Sequence, residues 1–470
     1  MAPCPPGLEP LLLVELEGLG IQATPLHGGA TWTGGWADIL RTNLHLRVAS
    51  RVLVELGTFR ARALGELERK GADLPWDQVP RDAPARFRVS ASRSRLYHEG
   101  AIEERLRRAA DLPPEALPDT PGPAGNEGEA PGESEAAAGG PLVVVRVHRD
   151  EVTVRLDTSG EHLHRRGYRR HVGMAPLRET LAAALLLAGP FSPSSSPPSP
   201  GRVPGDRGAT GADPADTEEA GGPFAVVDPF CGAGTVVIEA ALLARNIPPG
   251  LATAEHRPRD FAFLGWPDLP ASTWASEVEA ARSGILPSGE GLPLLYGSDR
   301  DAGVIEAARA NAEAAGVAED LHLSVAPLSR APLPPLPSAS PKWIVTNPPY
   351  GGRLGDRRRL RPLYASLGRA FLPGGRLSHG WSLIYLSGDP VLDAVTALPL
   401  EARFATTNGG LPVRAMAMEV HIAMEVQPMA SAEPEPEPEP ESELESELES
   451  EPGSEPGSEP GSEPGSEPAA

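Results

Sequence analysis

The most restrictive stretch of the chain runs from Ala225 to Ala244. Ala225-Val226-Val227 is a short apolar run, followed by Asp228-Pro229-Phe230-Cys231-Gly232-Ala233-Gly234-Thr235 and then helical spacing. A buried strand that ends in a glycine turn and opens a helix is the first unit of a doubly wound parallel sheet. Such sheets bind ligands at the carboxyl ends of their strands. Gly232 and Gly234 let backbone approach a ligand where a Cβ would intrude. A dinucleotide fingerprint would want a third glycine at position 237, where Val237 stands. An acid at the strand end followed by this turn suits S-adenosylmethionine instead, which has no pyrophosphate to place on the helix dipole.

The next strand, Leu294 to Asp299, puts Asp299 at a carboxyl end, where an acid accepts hydrogen bonds from ribose hydroxyls. Asp301 is the rival, although its position suits a cap for the helix from Val304 to Ala315. Asn311 on that helix reads as exposed. The residues proposed to hold the cofactor are thus Asp228, Phe230, Gly232, Gly234, Thr235 and Asp299. The long segment before Asp299 contains Phe261 to Trp266 and reads as an insertion that shapes a substrate cleft.

A second motif follows Trp343-Ile344-Val345, another buried strand: Thr346-Asn347-Pro348-Pro349-Tyr350-Gly351. Two adjacent prolines fix φ and cannot donate, so the loop has one shape. The Asn347 amide oxygen and the Pro348 carbonyl can then converge on one amino group, with Tyr350 as a flat face beside them. An exocyclic amine of a nucleobase has its lone pair delocalised into the ring. Two acceptors on its N–H groups localise that pair, and an aromatic ring holds the extruded base. Asn347, Pro348, Pro349 and Tyr350 are therefore the candidate catalytic residues. The alternative is a proline-rich turn with Asn347 closing an Asx turn.

Net charge is a poor guide to partners here. The chain carries −22, but the stretch from Glu433 onward has 14 Glu and no Lys or Arg, which leaves −8. Residues 111–140 carry seven acids and no bases, which leaves −1, so nucleic acid is not excluded. Two distant cysteines, Cys4 and Cys231, offer neither a disulfide framework nor zinc-ligand spacing. The longest apolar run, Leu181 to Gly189, is too short to span a bilayer. The expectation is a soluble cytoplasmic protein without a metal.

Apolar spacing predicts helices over Leu8–Leu19, Asp38–Leu46, Leu64–Lys70 and Glu99–Ala110, and strands over Ala49–Thr58 and Ala85–Ser90. A hairpin is expected around Arg149-Asp150. Further on, strands are expected at Trp381–Leu386 and in a final antiparallel pair, with a helix over Leu360–Phe371. Residues 112–140, 192–223 and the Glu/Pro/Gly/Ser tail at 427–470 have no periodicity and read as disordered. His162 to His171 is the most basic stretch, with Arg165, Arg166 and Arg169 around Tyr168. It suits RNA phosphates with a stacked base, or an interdomain strand whose arginines pair with acids. Arg353, Arg357, Arg358, Arg359 and Arg361 follow the second motif and are placed either to grip phosphates beside an extruded base or to form a solvated loop or helix start.

Leu40–Leu53, Ser94–His98 and Leu156–Glu161 resemble the amino-terminal region of THUMP-containing ribosomal RNA methyltransferases. Asp228–Thr235 and Thr346–Gly355 resemble the guanine-N2 methyltransferases of 23S ribosomal RNA (RlmL-like), here without the second methyltransferase that larger members fuse. The resemblance implies a ferredoxin-like segment at 1–56, a THUMP RNA-binding domain at 57–158 and a Rossmann-like class I methyltransferase domain at 159–426. It implies S-adenosylmethionine as cofactor and guanine N2 of 23S ribosomal RNA as target. It also implies that Arg178 and Thr180, in a helix over Pro176–Leu187, line the methionine end of the cofactor. On the residues alone, that helix is plain packing, and Arg41, Arg47 and Arg51 form a solvated face. The family expects an acid after the third strand, where Leu321–Leu328 has none. Competing readings are a transfer-RNA guanine-N2 enzyme, a DNA adenine-N6 enzyme and a non-catalytic RNA-binding assembly factor.

Overall fold

The structure is a computed structural model that describes residues 1–113, 140–171, 177–192, 224–337, 340–350, 354–378 and 380–420. The segments expected to be disordered lie outside these residues except at their margins. Among the described residues, three sheets follow one another along the chain. The first has order β1-β3-β2, from β1 (Ala2–Pro3), β2 (Thr24–Leu26) and β3 (Gly29–Thr31), with α1 (Glu9–Gly18) and α2 (Trp36–His45) beside it. The second joins β4 (Leu53–Arg60), β5 (Arg86–Ser92), β6 (Leu142–His148) and β7 (Glu151–Asp157) in the order β4-β7-β6-β5. Its helices are α3 (Leu64–Gly71) and α4 (Glu99–Ala109). Because β4 runs through position 56, the expected boundary there falls inside a strand.

The third sheet opens after α5 (Glu179–Leu187) with β8 (Ala225–Asp228), α6 (Thr235–Ala244), α7 (Ala271–Ser283), β9 (Leu294–Asp299), α8 (Ala302–Ala315) and β10 (Leu321–Val325). It continues through β11 (Lys342–Thr346), α9 (Leu354–Phe371), β12 (Trp381–Ser387), α10 (Pro390–Val395), β13 (Glu401–Asn408) and β14 (Leu411–Met418). The order is β10-β9-β8-β11-β12-β14-β13, with parallel pairing from β10 to β12 and antiparallel pairing beyond. β8, β11 and β12 are buried along their whole length, as strands covered on both faces must be, and their sequences are correspondingly apolar. Connections leave β8 toward β9 and leave β11 toward β12, in opposite directions. The crevice between the carboxyl ends of β8 and β11 is therefore the switch point at which such sheets bind ligands. α9 starts six residues before the expected Leu360 and contains Pro362, so Arg357, Arg358, Arg359 and Arg361 lie on the helix.

The segment between α6 and β9, expected to shape a cleft, joins the third sheet to the amino-terminal part. α2 packs on α7 through Arg41–Glu277 at 2.8 Å, and Trp36 meets Trp266, ahead of α7, edge-on at 5.6 Å. The Phe263 amide donates to the Thr158 carbonyl at 3.1 Å. Gly250 lies so close to α2 that a Cβ there would come within 2.9 Å of the Leu44 backbone. Among the described residues, no helix is long and apolar enough to cross a membrane.

Candidate active site

Adjacent strands bring the two motifs together. Thr346 Oγ1, at the end of β11, donates to Asp228 Oδ1 at 2.5 Å, and the Phe230 amide donates to the same oxygen at 3.0 Å. Asp228 is 1% exposed, and burial pushes its carboxyl up to about 7, against the pull of those two donors. This raised value sets a sign. Between about pH 4 and about pH 7 the folded chain keeps a proton that the unfolded chain has lost, so this group's contribution to stability falls as pH rises through that window. A cation bound beside Asp228 favours the ionised form. Calorimetry should therefore show S-adenosylmethionine binding more tightly at about pH 8 than at about pH 6, and Asp228→Asn should flatten the difference. A pH-independent affinity in the wild type would place the cofactor's positive charge away from Asp228.

Gly232 and Gly234 adopt φ of 50° and 88°. A Cβ on Gly234 would press on Ala308 at 3.1 Å, whereas one on Gly232 would project into open space above the turn. Asp299 adjoins the turn. Its carboxylate accepts from the Gly232 amide at 3.3 Å and from the Asp301 amide at 3.1 Å. Asp301, the rival, caps α8 by accepting from the Gly303 and Val304 amides. An open-faced glycine and a half-buried carboxylate facing the same turn fit a ribose.

The opposite side of the turn holds a group that sequence reading only partly found. Arg169 bonds Thr235 Oγ1, the first residue of α6, at 2.9 Å and pairs with Glu179 at 3.1 Å. Glu179 is 2% exposed, and its Oε2 has no hydrogen-bond partner among the described residues. Burial pushes that carboxyl up while Arg169 opposes it. An orphaned acid oxygen beside the cofactor turn fits the ammonium of a methionine moiety. Thr180 is buried next to Glu179, and the Arg178 carbonyl receives the first amides of α5. Asn311, expected to be exposed, is 1% exposed. It bridges the Arg170 and His171 amides and the His171 carbonyl to the Ala233 carbonyl of the turn.

At the end of β11, Asn347 Oδ1 is buried and makes no hydrogen bond among the described residues. An Asx turn would have satisfied that oxygen with a backbone N–H, so the alternative reading fails. Pro348 is buried and Pro349 exposed. The Tyr350 ring lies against Gly388, where a Cβ would meet it at 2.5 Å, and its hydroxyl accepts from Asn408 Nδ2 at 2.9 Å. Burial raises the Tyr350 hydroxyl's pKa, partly offset by that bond. Asn408 and Gly388 thus brace the aromatic face. Neither was visible from sequence, because they come from the β13–β14 hairpin and the end of β12.

Several arginines read as RNA contacts are structural. Arg166 is 1% exposed; it donates to the Arg47 carbonyl at 2.6 Å and faces Glu239 at 3.5 Å. Tyr168 is equally buried and donates to Glu239 at 3.0 Å. Arg169 belongs to the cofactor turn, and Arg165 pairs with Glu161. The His162–His171 stretch therefore follows the alternative reading in pairing its arginines with acids, although it is an irregular segment and not a strand. Arg47 and Arg51 are buried ties to the Ile247 carbonyl and to Asp157, not a solvated face. Arg357 pairs with Asp389 at 2.5 Å, while Arg358 and Arg359 are exposed on α9; Arg353 lies outside the described residues.

The fold is that of the class I methyltransferases. Residues 219–415 match the RMKL-like methyltransferase domain (UPF0020), and residues 1–53 match the RlmL ferredoxin-like domain. Both matches fall on one chain, in the order ferredoxin-like domain and then methyltransferase domain. The chain is 33% identical over 434 residues to the ribosomal RNA large subunit methyltransferase K/L of Syntrophotalea carbinolica, covering 89% of this chain and 53% of that protein. The chain thus spans about half the length of this relative. Among solved structures, SMU.472 complexed with SAH is 26% identical with a TM-score of 0.68, covering 89% of this chain and 97% of that one. A Listeria monocytogenes structure described as a predicted N6-adenine-specific DNA methylase is 28% identical with a TM-score of 0.66, covering 88% and 94%.

Proposed function

We propose that the chain is an S-adenosylmethionine-dependent RNA methyltransferase of the cytoplasm that modifies the exocyclic N2 of a guanine in 23S ribosomal RNA. The observation that carries this reading is the buried, unpartnered Asn347 Oδ1, one strand away from the Asp228–Thr235 turn. The cofactor supplies an electrophilic methyl group. Asp299 would hold its ribose, and Glu179 with the turn its methionine end. Asn347 Oδ1 and the Pro348 carbonyl accept the two N–H groups of the target amine and localise its lone pair. Tyr350, braced by Asn408, presents its ring to the base. With the amine so oriented, positioning supplies most of the acceleration. No side chain needs to act as a strong base, since the proton leaves through these acceptors to solvent.

Adenine N6 is the second reading, because the same acceptors fit any exocyclic amine and the Listeria structure carries that description. Mass mapping of large-subunit ribosomal RNA from a deletion strain decides between them. Loss of one N2-methylguanine supports the proposal, loss of an N6-methyladenine supports the second reading, and an unchanged RNA overturns both. Arg358 and Arg359 are the side chains expected at phosphates beside the target. Replacing both with Ala should weaken binding of the RNA fragment and reduce its salt slope by nearly one unit for each phosphate no longer neutralised. An unchanged slope would remove α9 from the footprint.

A further inference from the structure

The hairpin of β13 and β14 outruns the sheet to which it belongs. β12 pairs with β14 as far as Ser387–Arg414, while the hairpin's own pairing continues to Asn408–Leu411. The three residues Leu411 to Val413 therefore carry the tip roughly 10 Å past the last β12 rung, on the carboxyl side of the sheet. That is the side on which Asn347 and Tyr350 follow β11. Gly409 and Gly410, at φ of 55° and 80°, close the hairpin with a two-residue turn that matches strand twist, so the tip extends the ladder regularly.

Residues paired directly across an antiparallel ladder point to one face. On the face that carries Asn408, the successive pairs are Phe404–Ala415, Thr406–Val413 and Asn408–Leu411. The first two pairs are buried, and Tyr350 packs against the same core as Phe404 and Val413. The last pair emerges from that cover. Asn408 turns its amide to the Tyr350 hydroxyl at 2.9 Å, and Leu411 beside it is 48% exposed. An exposed leucine on its own needs no explanation. This one stands next to the side chain that holds the aromatic face, at the end of a paired arm. From Phe404 to Val413 the arm carries no charged residue, so no carboxylate on it repels an approaching phosphate.

We propose that Leu411 is the wedge that enters the base stack as the target guanine leaves it, so that the substrate is a guanine held within an RNA helix. This rests on the reading that the target is the N2 of a guanine in RNA. Extruding a base costs stacking and pairing, and an apolar side chain that fills the vacated step offsets part of that cost. Guanine N2 faces the minor groove, which in RNA is wide and shallow and admits a hairpin tip. An aliphatic wedge makes no hydrogen bond to the base. Leu411 is thus a positioning residue, and the methyl transfer itself stays with Asn347 and Tyr350.

The test uses the full chain and two RNA fragments that carry the site found by mass mapping, one with the target paired in a helix and one with its pairing partner removed. Leu411→Ala should raise the ratio of the single-turnover rate on the unpaired RNA to that on the paired RNA about tenfold, and Leu411→Met should restore the wild-type ratio. With 2-aminopurine in place of the paired target, binding of the wild type should raise its fluorescence, and binding of Leu411→Ala should not. S-adenosylmethionine affinity should match the wild type in both variants. If the wild type methylates guanine N2 while Leu411→Ala leaves the ratio unchanged, whether the two rates hold or fall together, Leu411 is no wedge; the inference fails and the proposed function stands. A 2-aminopurine signal equal to that of the wild type overturns it in the same way. A wild type that methylates neither RNA overturns both.

Discussion

Asn347→Ala should lower kcat for methyl transfer by about 10²–10³-fold, about 2.7–4 kcal/mol, the size of effect seen when one oriented hydrogen-bonding group is taken from a site of developing charge. The side chain makes no hydrogen bond to the cofactor turn, and its Oδ1 has no partner among the described residues. Cofactor affinity and melting temperature should therefore stay close to wild type, and KM for RNA should move little. Asn347→Asp keeps an acceptor in place and should retain more activity than the alanine variant. The informative measurement is single-turnover transfer beside cofactor calorimetry. Loss of cofactor binding in parallel with kcat would make Asn347 part of the turn rather than the acceptor for the amine.

The sheet and its two motifs were legible because each is local. An apolar run, an acid and a glycine turn predict β8 and α6, and Asp228 and Gly234 fall where that pattern puts them. Asp301 likewise read correctly as a cap because capping depends on neighbours in sequence. What could not be read is chemistry assembled across long separations. The same guanidinium serves phosphate, carboxylate or carbonyl, so the composition of His162–His171 could not say that Arg166 meets Glu239 and Arg47 or that Arg169 meets Glu179. Asn311 looked like a solvent-facing helix residue until the fold brought His171 and Ala233 to it. Asn408 lies 58 positions from the ring it holds, on a hairpin whose register no local pattern announces.

The same buried network leads to the other large effect, which is on stability. Glu239 on α6 is fully buried, faces Arg166 at 3.5 Å and accepts from Tyr168 at 3.0 Å. Arg166 reaches the Arg47 carbonyl, and the Arg47 guanidinium in turn donates to the Ile247 carbonyl beyond α6 at 2.8 Å. Glu15 closes the group by accepting from the Arg47 and Val48 amides, with burial pushing its carboxyl up to about 6. The amino-terminal part is thus tied to the helix whose first turn carries the cofactor loop. Glu239→Ala strands Arg166 as an uncompensated buried charge and should cost about 3–5 kcal/mol in urea denaturation. Glu239→Gln keeps a partner for Tyr168 but not the charge and should fall between it and wild type. The double variant Arg166→Met with Glu239→Leu removes both charges and should recover most of the loss, because the desolvation cost disappears along with the attraction. A single-variant loss under about 1 kcal/mol would mean that water reaches Arg166 and that the joint is held by α2 and α7 packing alone.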